Sequence, residues 1–526
     1  MRNAHNTLSE TDTIKRHSPV DQHVLSQIEI SSEQQIVQTA QSARAAQQQW
    51  SRIPFRKRVK MLKESSKEML KWRNEILDIL RDESGKYPIE GLFSEAIAPL
   101  DQLLHWIKIV RPYIKRKRLP ISSLSFPRKK GYIEIMPRGV VGVIAPWNYP
   151  LANLFRPVFP ALLCGNSVVI KPSEQAPRAA AWFVEQISKH LPDGIVQCVF
   201  GDGIAGELLI KSGIDSLVFT GSTRTGREVI SLAAERMIPC SAEMGGKDPA
   251  IVFSDCNLER TVAGIVYWAL HNVGQNCGAI ERVYVMEDIA DRFVELLAHG
   301  VSRLRTSPPE DPDIDIGPLN NLKQLAIVEH HVEDALEKGA SLLCGGTRSG
   351  SGLWYEPTVL DHCNHRMKIM TEETFGPVIP VVRVQTVDEA IDLANSSLFG
   401  LTASLWTANS RRAETVAKRL EAGTVTINNH AITGAMPFAP WTGVKGSGYG
   451  ITNSVYSLSA FTRPKTYLLD NNKMPDPWWF PFSHNLIETG HLLAEIQLGT
   501  FKRALKLPLV LSKRKKFISE FYGSKK

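Results

Sequence analysis

The sequence lacks several features that mark other classes of protein. Its seven cysteines are scattered over 526 residues without CxxC pairs or Cys/His clusters, so the sequence predicts neither a zinc site nor a disulfide framework and favours a reducing compartment. No apolar run approaches the roughly 18 residues of a membrane-spanning helix. The polar N-terminus has no apolar core typical of a signal peptide. These absences predict a cytoplasmic protein without a metal centre.

The net charge of +8 is concentrated at one end of the chain. Residues 502–526 contain nine Lys or Arg and a single acidic residue, whereas basic and acidic residues balance in the rest. A basic tail on a neutral body does not indicate nucleic-acid binding by that body. The length of the chain suggests two or three domains.

Short apolar runs alternate with helical stretches from Gly139 onwards. Fully apolar strands between helices predict an α/β fold with a parallel sheet covered on both faces. Ligands bind such sheets at the carboxyl ends of the strands, so the residues after each strand are candidates for a site. A second α/β unit is predicted over 246–427. The runs in the first unit are Val140–Ile144, Ser167–Ile170, Val196–Phe200 and Ser216–Phe219.

A loop cysteine is the most reactive candidate in the chain. Cys277 lies in the sequence GQNCG of residues 274–278, between a predicted helix and the apolar run Val283–Val285. Small neighbours leave a thiol accessible, and loop N–H groups can face an incoming carbonyl. Most free cysteines are instead small buried hydrophobes, so the loop alone does not decide between the two.

A glutamate motif 34 residues earlier changes this balance. Glu243 opens the sequence EMGGK, and on its own it would pass for a charge at a strand end. In this order and at this separation, the two stretches resemble the signatures of the aldehyde dehydrogenase superfamily, Glu-(Leu/Met)-Gly-Gly-Lys and Gly-Gln-x-Cys. The resemblance covers about residues 18–466. It implies an NAD(P)-dependent, hydrolytic, non-CoA-acylating enzyme with a Rossmann-like parallel-sheet domain, an α/β catalytic domain and a small β oligomerisation element.

The resemblance also assigns a cofactor site. Lys171 and Glu174 would contact the adenosine ribose hydroxyls. A carboxylate there accepts hydrogen bonds from both hydroxyls and repels a 2′-phosphate, which favours NAD, with NADP as the alternative. Gly221 and Ser222 would lie against the pyrophosphate, although from the residues alone this turn is equally a plain helix N-cap. The predicted cofactor-binding residues are Trp147, Lys171, Glu174, Gly201, Gly221, Ser222, Glu373 and Phe375.

The implied mechanism has three catalytic residues. Cys277 would attack the aldehyde carbon while the Asn148 side chain and the Cys277 N–H hold the oxyanion. Hydride transfer to a nicotinamide, which the resemblance places beside Phe375 with Glu373 at its ribose, would leave a thioester. Glu243 would then activate water to release a carboxylic acid.

Two other interpretations stay open from the sequence. A cysteine hydrolase or acyltransferase would pair Cys277 with His271 or His430 and act without a nucleotide. A catalytically inactive scaffold would keep the fold without a reactive thiol. The sequence does not identify the aldehyde. Thr442 stands where relatives usually have glycine, in a loop near the substrate entrance, and Phe438 allows a shifted register there.

The predicted domain boundaries follow the motifs. We expect a flexible N-terminus over 1–17 and an NAD-binding domain over 18–245, which contributes 111–138 to an oligomerisation hairpin. The catalytic domain is expected over 246–427. Residues 428–466 would return to the NAD domain or to the oligomerisation element of a homo-oligomer.

The C-terminal extension, residues 467–526, is aromatic, amphipathic and basic. An aromatic cluster at 477–482 precedes a predicted helix from His484 to Lys506 with a polar face and a broad apolar side. Together with the basic end, this pattern is typical of a peripheral helix on an anionic membrane. The alternative is a helix packed on the enzyme body or at a subunit contact, followed by a loose charged end.

Overall fold

The computed structural model describes residues 13–523 except 26, 124, 125, 307–313, 351, 474, 500, 501 and 503. The chain divides into two compact units, one of residues 1–114 and 136–463 and the other of 115–135 and 464–526. The described residues begin at 13, so most of the N-terminus predicted to be flexible, residues 1–17, lies outside them. Its last part contains a short strand, which pairs with a second strand to form a small antiparallel sheet.

The strands assemble into two large sheets, a three-stranded sheet and the small N-terminal pair. This α/β architecture with parallel sheets confirms the predicted fold class. The strands are β1 (Thr13–Ile14), β2 (Ile28–Glu29), β3 (Lys117–Arg118), β4 (Lys129–Pro137), β5 (Val140–Ala145), β6 (Ser167–Pro172), β7 (Val196–Cys198), β8 (Ser216–Thr220), β9 (Cys240–Glu243), β10 (Asp248–Val252), β11 (Ile280–Met286), β12 (Ser341–Cys344), β13 (Thr358–Asp361), β14 (Val378–Val384), β15 (Thr402–Trp406), β16 (Thr424–Ile427), β17 (Gly448–Tyr449) and β18 (Thr462–Asp470).

Local sequence signals fix several helix ends. A capping box opens the first helix, because the Ser32 hydroxyl accepts from the Gln35 N–H while the Gln35 side chain accepts from the Ser32 N–H. Pro99 lies in the first turn of its helix and so marks a helix start. The helices are α1 (Glu33–Trp50), α2 (Phe55–Lys71), α3 (Arg73–Ser84), α4 (Pro88–Gly91), α5 (Ala98–Tyr113), α6 (Ala152–Cys164), α7 (Pro177–Ser188), α8 (Gly203–Lys211), α9 (Thr223–Glu235), α10 (Leu258–Leu270), α11 (Glu287–Ser302), α12 (Leu322–Glu337), α13 (Lys368–Thr371), α14 (Val387–Asn395), α15 (Ser410–Ala417), α16 (His484–Gln497) and α17 (Leu507–Tyr522).

The six-stranded sheet has the order β17-β9-β8-β5-β6-β7. Its strands are parallel except for β17, which pairs antiparallel with β9. From β5 the chain proceeds to β6 and β7 on one side and then returns to β8 on the other. The topology therefore reverses between β5 and β8, and such a switch point opens a crevice at the carboxyl ends of the strands.

The seven-stranded sheet has the order β12-β13-β14-β11-β10-β15-β16 and spans residues 341–427 together with 248–286. Only β12 among these strands runs antiparallel to its neighbour. Its apolar strands are buried on both faces, and a large core cluster joins them to the flanking helices. This burial explains why apolar residues predominate in β10, β11 and β14.

The second unit contains β3 and most of β4 and β18, with β4 in the middle of the sheet. After the sheet, α16 and α17 pack together through Leu492, Leu507 and Val510. The prediction of one helix from His484 to Lys506 is wrong. The helix ends at Gln497, because the chain turns at Gly499 with φ +77°, a left-handed conformation that glycine adopts without strain.

The loose charged end of the alternative interpretation is not found over Leu507–Tyr522, because these residues form α17. In the part of the chain that the structure describes, no helix combines the length and apolarity needed to cross a membrane.

Candidate active site

A cavity of about 1950 Å³ extends from the carboxyl ends of the six-stranded sheet to the Cys277 loop. Nine of the eleven predicted site residues line it. The structure describes all eleven of these residues, and Gly201 and Glu243 are the two that do not line the cavity. The nine are Trp147, Asn148, Lys171, Glu174, Gly221, Ser222, Cys277, Glu373 and Phe375.

One end of the cavity carries groups whose chemistry suits phosphates and sugar hydroxyls. Ser222 caps α9, and its hydroxyl accepts from the Thr225 N–H at 3.3 Å, so the positive end of this helix faces the cavity. The buried Lys171 ammonium lies 3.7 Å from a Glu174 carboxylate oxygen. A cation, a carboxylate and a helix N-terminus are the groups that bind phosphates and sugar hydroxyls. The predicted cofactor residues after β6 and β8 thus share one wall.

Gly201 lies after β7, outside this wall. A Cβ on Gly201 would come within 2.6 Å of the Ala205 Cβ, so glycine permits close packing between this turn and α8. Its predicted cofactor contact stays a prediction.

A buried ion pair holds the loop that carries Glu373 and Phe375. Lys247 Nζ donates to Glu281 Oε2 at 2.6 Å, and the Glu281 carboxylate accepts the Thr374 and Phe375 N–H groups, each at 2.8 Å. The Phe375 ring meets the Trp147 ring edge to face, with centroids 5.6 Å apart. Both rings line the cavity, so this pair forms an apolar platform beside it.

The two glycines after Glu243 allow close approach of two loops. A Cβ on Gly245 would lie 2.4 Å from a Glu373 carboxylate oxygen, and a Cβ on Gly246 would lie 2.5 Å from the Cys277 carbonyl oxygen. The Gly246 N–H also donates to Glu373 Oε1 at 3.0 Å. The glutamate motif therefore packs directly against the cysteine loop.

The cysteine loop begins in an unusual backbone conformation. Asn272 and Val273 have φ values of +55° and +59°. A β-branched residue in the left-handed region costs about 1–3 kcal/mol and persists only where the surroundings enforce it. Residues 271–274 form a short 3₁₀ turn that leads to Cys277, and β11 follows directly. The helix-loop-strand placement predicted for Cys277 agrees with this arrangement.

The thiol lies in an environment that keeps it protonated. Burial and then the negative charge of Glu243 raise the pKa of Cys277 to about 12, while Arg156 acts in the opposite direction. A neutral thiol is a weak nucleophile, so attack requires that its proton be removed.

Glu243 ends β9 and is buried. Burial raises its pKa, and the positive charge of Arg156 and a hydrogen bond from the Thr452 hydroxyl partly oppose that rise. A carboxylate whose pKa is raised toward neutrality is a better proton acceptor at neutral pH than an exposed one. Thr452 was not singled out from the sequence, because it lies 209 residues further along the chain.

Asn148 follows β5 and presents a buried side-chain amide to the cavity. Its Nδ2 donates to the Gln275 carbonyl at 3.1 Å, and an amide nitrogen carries a second N–H. The amide is thereby tied to the cysteine loop while it retains a donor for a ligand oxygen.

The two histidines of the hydrolase interpretation differ in position. His271 lines the cavity, but its Nδ1 contacts the Tyr149 hydroxyl at 2.9 Å and its Nε2 lies 3.6 Å from Glu90. His430 is fully buried and is not among the described residues that line the cavity. Burial lowers the pKa of His430 to about 3, so its imidazole is neutral at physiological pH.

Trp441 and Phe438, the two aromatic residues of the loop that departs from the family pattern, lie in different environments. Trp441 is buried, lines the cavity and contacts the cluster that includes Cys277. Phe438 is instead about half exposed and packs edge to face on His105, with centroids 5.0 Å apart. The Thr442 hydroxyl donates to the Gly450 carbonyl at 2.8 Å. The threonine that stands where relatives usually have glycine therefore makes a hydrogen bond within its own loop.

Comparison with known proteins agrees with this geometry. Residues 7–467 match the model of the aldehyde dehydrogenase family. The chain is 37% identical over 473 residues to 4,4'-diapolycopene aldehyde oxidase of Methylomonas sp, covering 90% of this chain and 88% of that protein.

Two solved structures illustrate the similarity. An NADP-dependent glyceraldehyde-3-phosphate dehydrogenase from Bacillus halodurans C-125, complexed with NADP, has a TM-score of 0.83 and 35% identity over 87% of this chain and 96% of that one. Lactaldehyde dehydrogenase from Escherichia coli has a TM-score of 0.82 and 32% identity, covering 88% and 96%.

A match over most of the chain decides between the interpretations left open by the sequence. The nucleotide-free hydrolase and the inactive scaffold are set aside. The chain belongs to the aldehyde dehydrogenase family and oxidises an aldehyde to a carboxylic acid with reduction of NAD(P)+.

Proposed function

We propose that Cys277, Asn148 and Glu243 carry out this oxidation. The observation that supports the assignment is one cavity lined by Cys277, Asn148 and the residues suited to a dinucleotide, with Glu243 electrostatically coupled to the thiol. When bound, the nicotinamide accepts a hydride. The protein must therefore convert a planar carbonyl into a tetrahedral centre that releases one.

The Cys277 sulfur bonds to the aldehyde carbon, the carbonyl double bond opens to an oxyanion, and the thiol proton passes to solvent water in the cavity. The Asn148 amide and the Cys277 N–H stabilise the oxyanion, each contributing about 3–4 kcal/mol at the transition state. After hydride loss the acyl group is bound to sulfur as a thioester. Glu243 takes a proton from water as the water oxygen bonds to the acyl carbon. The carbon–sulfur bond then breaks, the carboxylic acid leaves, and the proton on Glu243 passes to the sulfur to restore the thiol.

Glu174 favours NAD over NADP in this proposal. A carboxylate near a 2′-phosphate costs about 1–2 kcal/mol, or about tenfold. We expect kcat/KM to be about tenfold higher with NAD+ than with NADP+. Glu174→Ser should narrow this ratio, whereas Glu185→Ser, at an exposed site on α7, should not. An unchanged ratio in Glu174→Ser would contradict the assignment.

The substrate we propose is a long apolar aldehyde, as the name of the Methylomonas relative suggests. Ligand pockets usually measure about 300–1,000 Å³, so a cavity of about 1950 Å³ has room for a long chain beside a dinucleotide. An apolar arm of this cavity runs along α10, the helix that leads to the cysteine loop. Its lining includes Val262, Ala263, Val266, Leu296, Gly300 and Ile327.

A larger side chain in the apolar arm should weaken the binding of long-chain aldehydes but not of short ones. A Cβ at Gly300 would meet only the Val266 side chain, at 3.7 Å, so a side chain can be added at this position, and leucine also favours the helix more than glycine does. We expect Gly300→Leu to raise KM about tenfold for a long-chain aldehyde and to leave propanal kinetics unchanged, with Gly300→Ala intermediate. Equal effects on both aldehydes in steady-state assays would exclude the arm from substrate binding.

A short anionic aldehyde is the second candidate, favoured by Arg156. This residue of α6 lines the cavity, and its buried Nε has no hydrogen-bond partner among the described residues. A guanidinium there would suit a carboxylate or phosphate. A panel of aldehydes followed by NADH formation separates the two candidates. Arg156→Leu should change kcat for every aldehyde, because the Arg156 charge acts on Cys277 and Glu243, but only an anionic substrate should also show a strongly raised KM.

We also propose a homo-oligomer formed through the edge of the three-stranded sheet. β18 is one of the two edge strands of this sheet, and most of its residues are exposed. An exposed edge of this length is a template for pairing with another chain. A second copy of the sheet is therefore the expected partner, through the β3–β4 hairpin and β18.

The C-terminal unit carries an exposed surface that suits an anionic membrane. Arg514 donates to the carbonyls of Pro477 and Trp479, which holds the aromatic loop, residues 477–482, on α17. Aromatic rings and lysines on one small unit resemble a membrane-interface segment. The exposed members are Trp478, Trp479, Phe480, Phe482, Lys513, Lys515 and Lys516.

Vesicle flotation tests this membrane contact. Each lysine near an anionic surface contributes about 1 kcal/mol, so Lys513→Glu with Lys516→Glu should weaken binding to phosphatidylserine vesicles at least about 30-fold. The matched control is Lys57→Glu with Lys60→Glu on α2. Equal binding to neutral phosphatidylcholine vesicles, equal loss in the control, or a change confined to self-association would contradict the proposal.

A further inference from the structure

A buried lysine beside the active site is not used by the proposed chemistry. Lys86 follows α3, is 1% exposed and is not part of the described cavity lining. Its ammonium donates to Asn272 Oδ1 at 2.7 Å, lies 3.3 Å from the Glu95 carboxylate and sits 3.9 Å from the centre of the Tyr149 ring. A fully buried charge requires several such partners to offset its desolvation.

Asn272 connects this lysine to both halves of the active site. Its Nδ2 donates to the Asn148 carbonyl at 3.0 Å and to the Gln275 carbonyl at 2.9 Å. The Asn148 side chain donates to the same Gln275 carbonyl. One amide therefore joins the turn that carries Asn148 to the loop that carries Cys277, at the point where the backbone is left-handed.

Glu95 fixes the other end of the Asn148 turn. It is fully buried, and its Oε2 accepts the Leu151 N–H at 2.7 Å and the Ala152 N–H at 3.2 Å. These N–H groups open α6, where a helix has unsatisfied donors and attracts negative charge. The Lys86–Glu95 pair thus contacts the segment on both sides of Tyr149.

We propose that Lys86, acting through Asn272 and Glu95, is a positioning residue that sets the Asn148 amide relative to the Cys277 sulfur. It touches neither substrate nor coenzyme. The proposal rests on the roles given above to Cys277 and Asn148. A misplacement of about 1 Å between reacting groups lowers rates about 100-fold, and this is the size of effect expected when the network is removed.

The test removes the pair as a unit, so that no buried charge is left alone. Lys86→Met with Glu95→Gln keeps side-chain volume and leaves an oxygen acceptor for α6. We expect kcat to fall about 100-fold, with KM for the coenzyme and NADH affinity by fluorescence within twofold of the parent. Alkylation of Cys277 by iodoacetamide at alkaline pH, where part of the thiol is ionised, followed by peptide mass spectrometry, should match the parent, because neither substitution adds a charge beside the sulfur.

Two further variants separate positioning from folding. Asn272→Asp keeps an acceptor for Lys86 but loses both donors, and should reproduce the fall in kcat with NADH still bound. Lys129→Met with Asp476→Asn removes a buried ion pair in the other unit, in which Lys129 Nζ lies 2.7 Å from Asp476 Oδ2. This variant should keep kcat within twofold of the parent.

The outcomes are distinct. A kcat within threefold of the parent in both network variants, or a loss of NADH binding in parallel with kcat, would overturn the positioning role. Failure of the underlying proposal would appear separately, as a parent enzyme whose aldehyde oxidation does not need Cys277.

Discussion

Cys277→Ser is expected to lower NAD(P)-dependent aldehyde oxidation by at least about 1,000-fold, because a serine hydroxyl without a dedicated base is a poor nucleophile toward the aldehyde. Without the sulfur adduct the carbonyl stays planar and hydride release is slow. Coenzyme affinity should be unchanged, since the residues suited to phosphates and ribose lie at the other end of the cavity. Initial rates and NADH fluorescence titration measure the two quantities.

Cys256→Ser is the matched control for this change. Cys256 is also a partly exposed free cysteine, but it lies before α10 and does not line the described cavity. The rate of aldehyde oxidation by the Cys256→Ser variant should stay within twofold of the parent rate. A Cys277→Ser enzyme that oxidises aldehyde at the parent rate would remove the nucleophile from the proposal.

Glu243→Gln should separate the two halves of the reaction. Loss of a general base costs about 100- to 10,000-fold, and here the cost falls on thioester hydrolysis. We expect a rapid burst of NADH of about one equivalent per active site, followed by a slow steady rate. Stopped-flow absorbance at the NADH band resolves both phases, and Glu235→Gln, an exposed change on α9, should behave like the parent.

The pH dependence of hydrolysis follows from the raised pKa of Glu243. Only its ionised form accepts a proton, so the steady rate should fall as the pH drops through that pKa, which lies above the ordinary 4.5 of a glutamate. This acidic limb should be absent in Glu243→Gln. A burst-free progress curve, or the same acidic limb in the variant, would assign the base to another group.

Much of the fold was predictable because the buried strands of a parallel sheet are apolar throughout. The runs at β5, β6 and β8 located the residues after them, and the topology brings Asn148 and Ser222 to one crevice. The cysteine and glutamate motifs were recognisable since each is a short local sequence. The sequence was therefore sufficient to identify most residues that line the candidate active site.

The supporting contacts were not predictable from the same signals. Lys86 and Asn272 are 186 residues apart, and neither stands in a periodic pattern that indicates a partner. The left-handed backbone at Val273 contradicts the local preference of valine, so only tertiary packing produces it. In the C-terminal extension, apolar periodicity continued past Gly499, and a single glycine in a helical pattern does not by itself predict a helix end.

Acid-quenched single turnover of the full chain tests the central claim most directly. Parent enzyme and Glu243→Gln are mixed with one equivalent of aldehyde and excess NAD+, quenched, digested and analysed by mass spectrometry while NADH is counted. We predict an acyl adduct on the Cys277 peptide that accumulates in Glu243→Gln in step with one NADH per chain. NADH formation with no adduct on Cys277, or with the acyl group on another residue, would contradict a thioester at this sulfur.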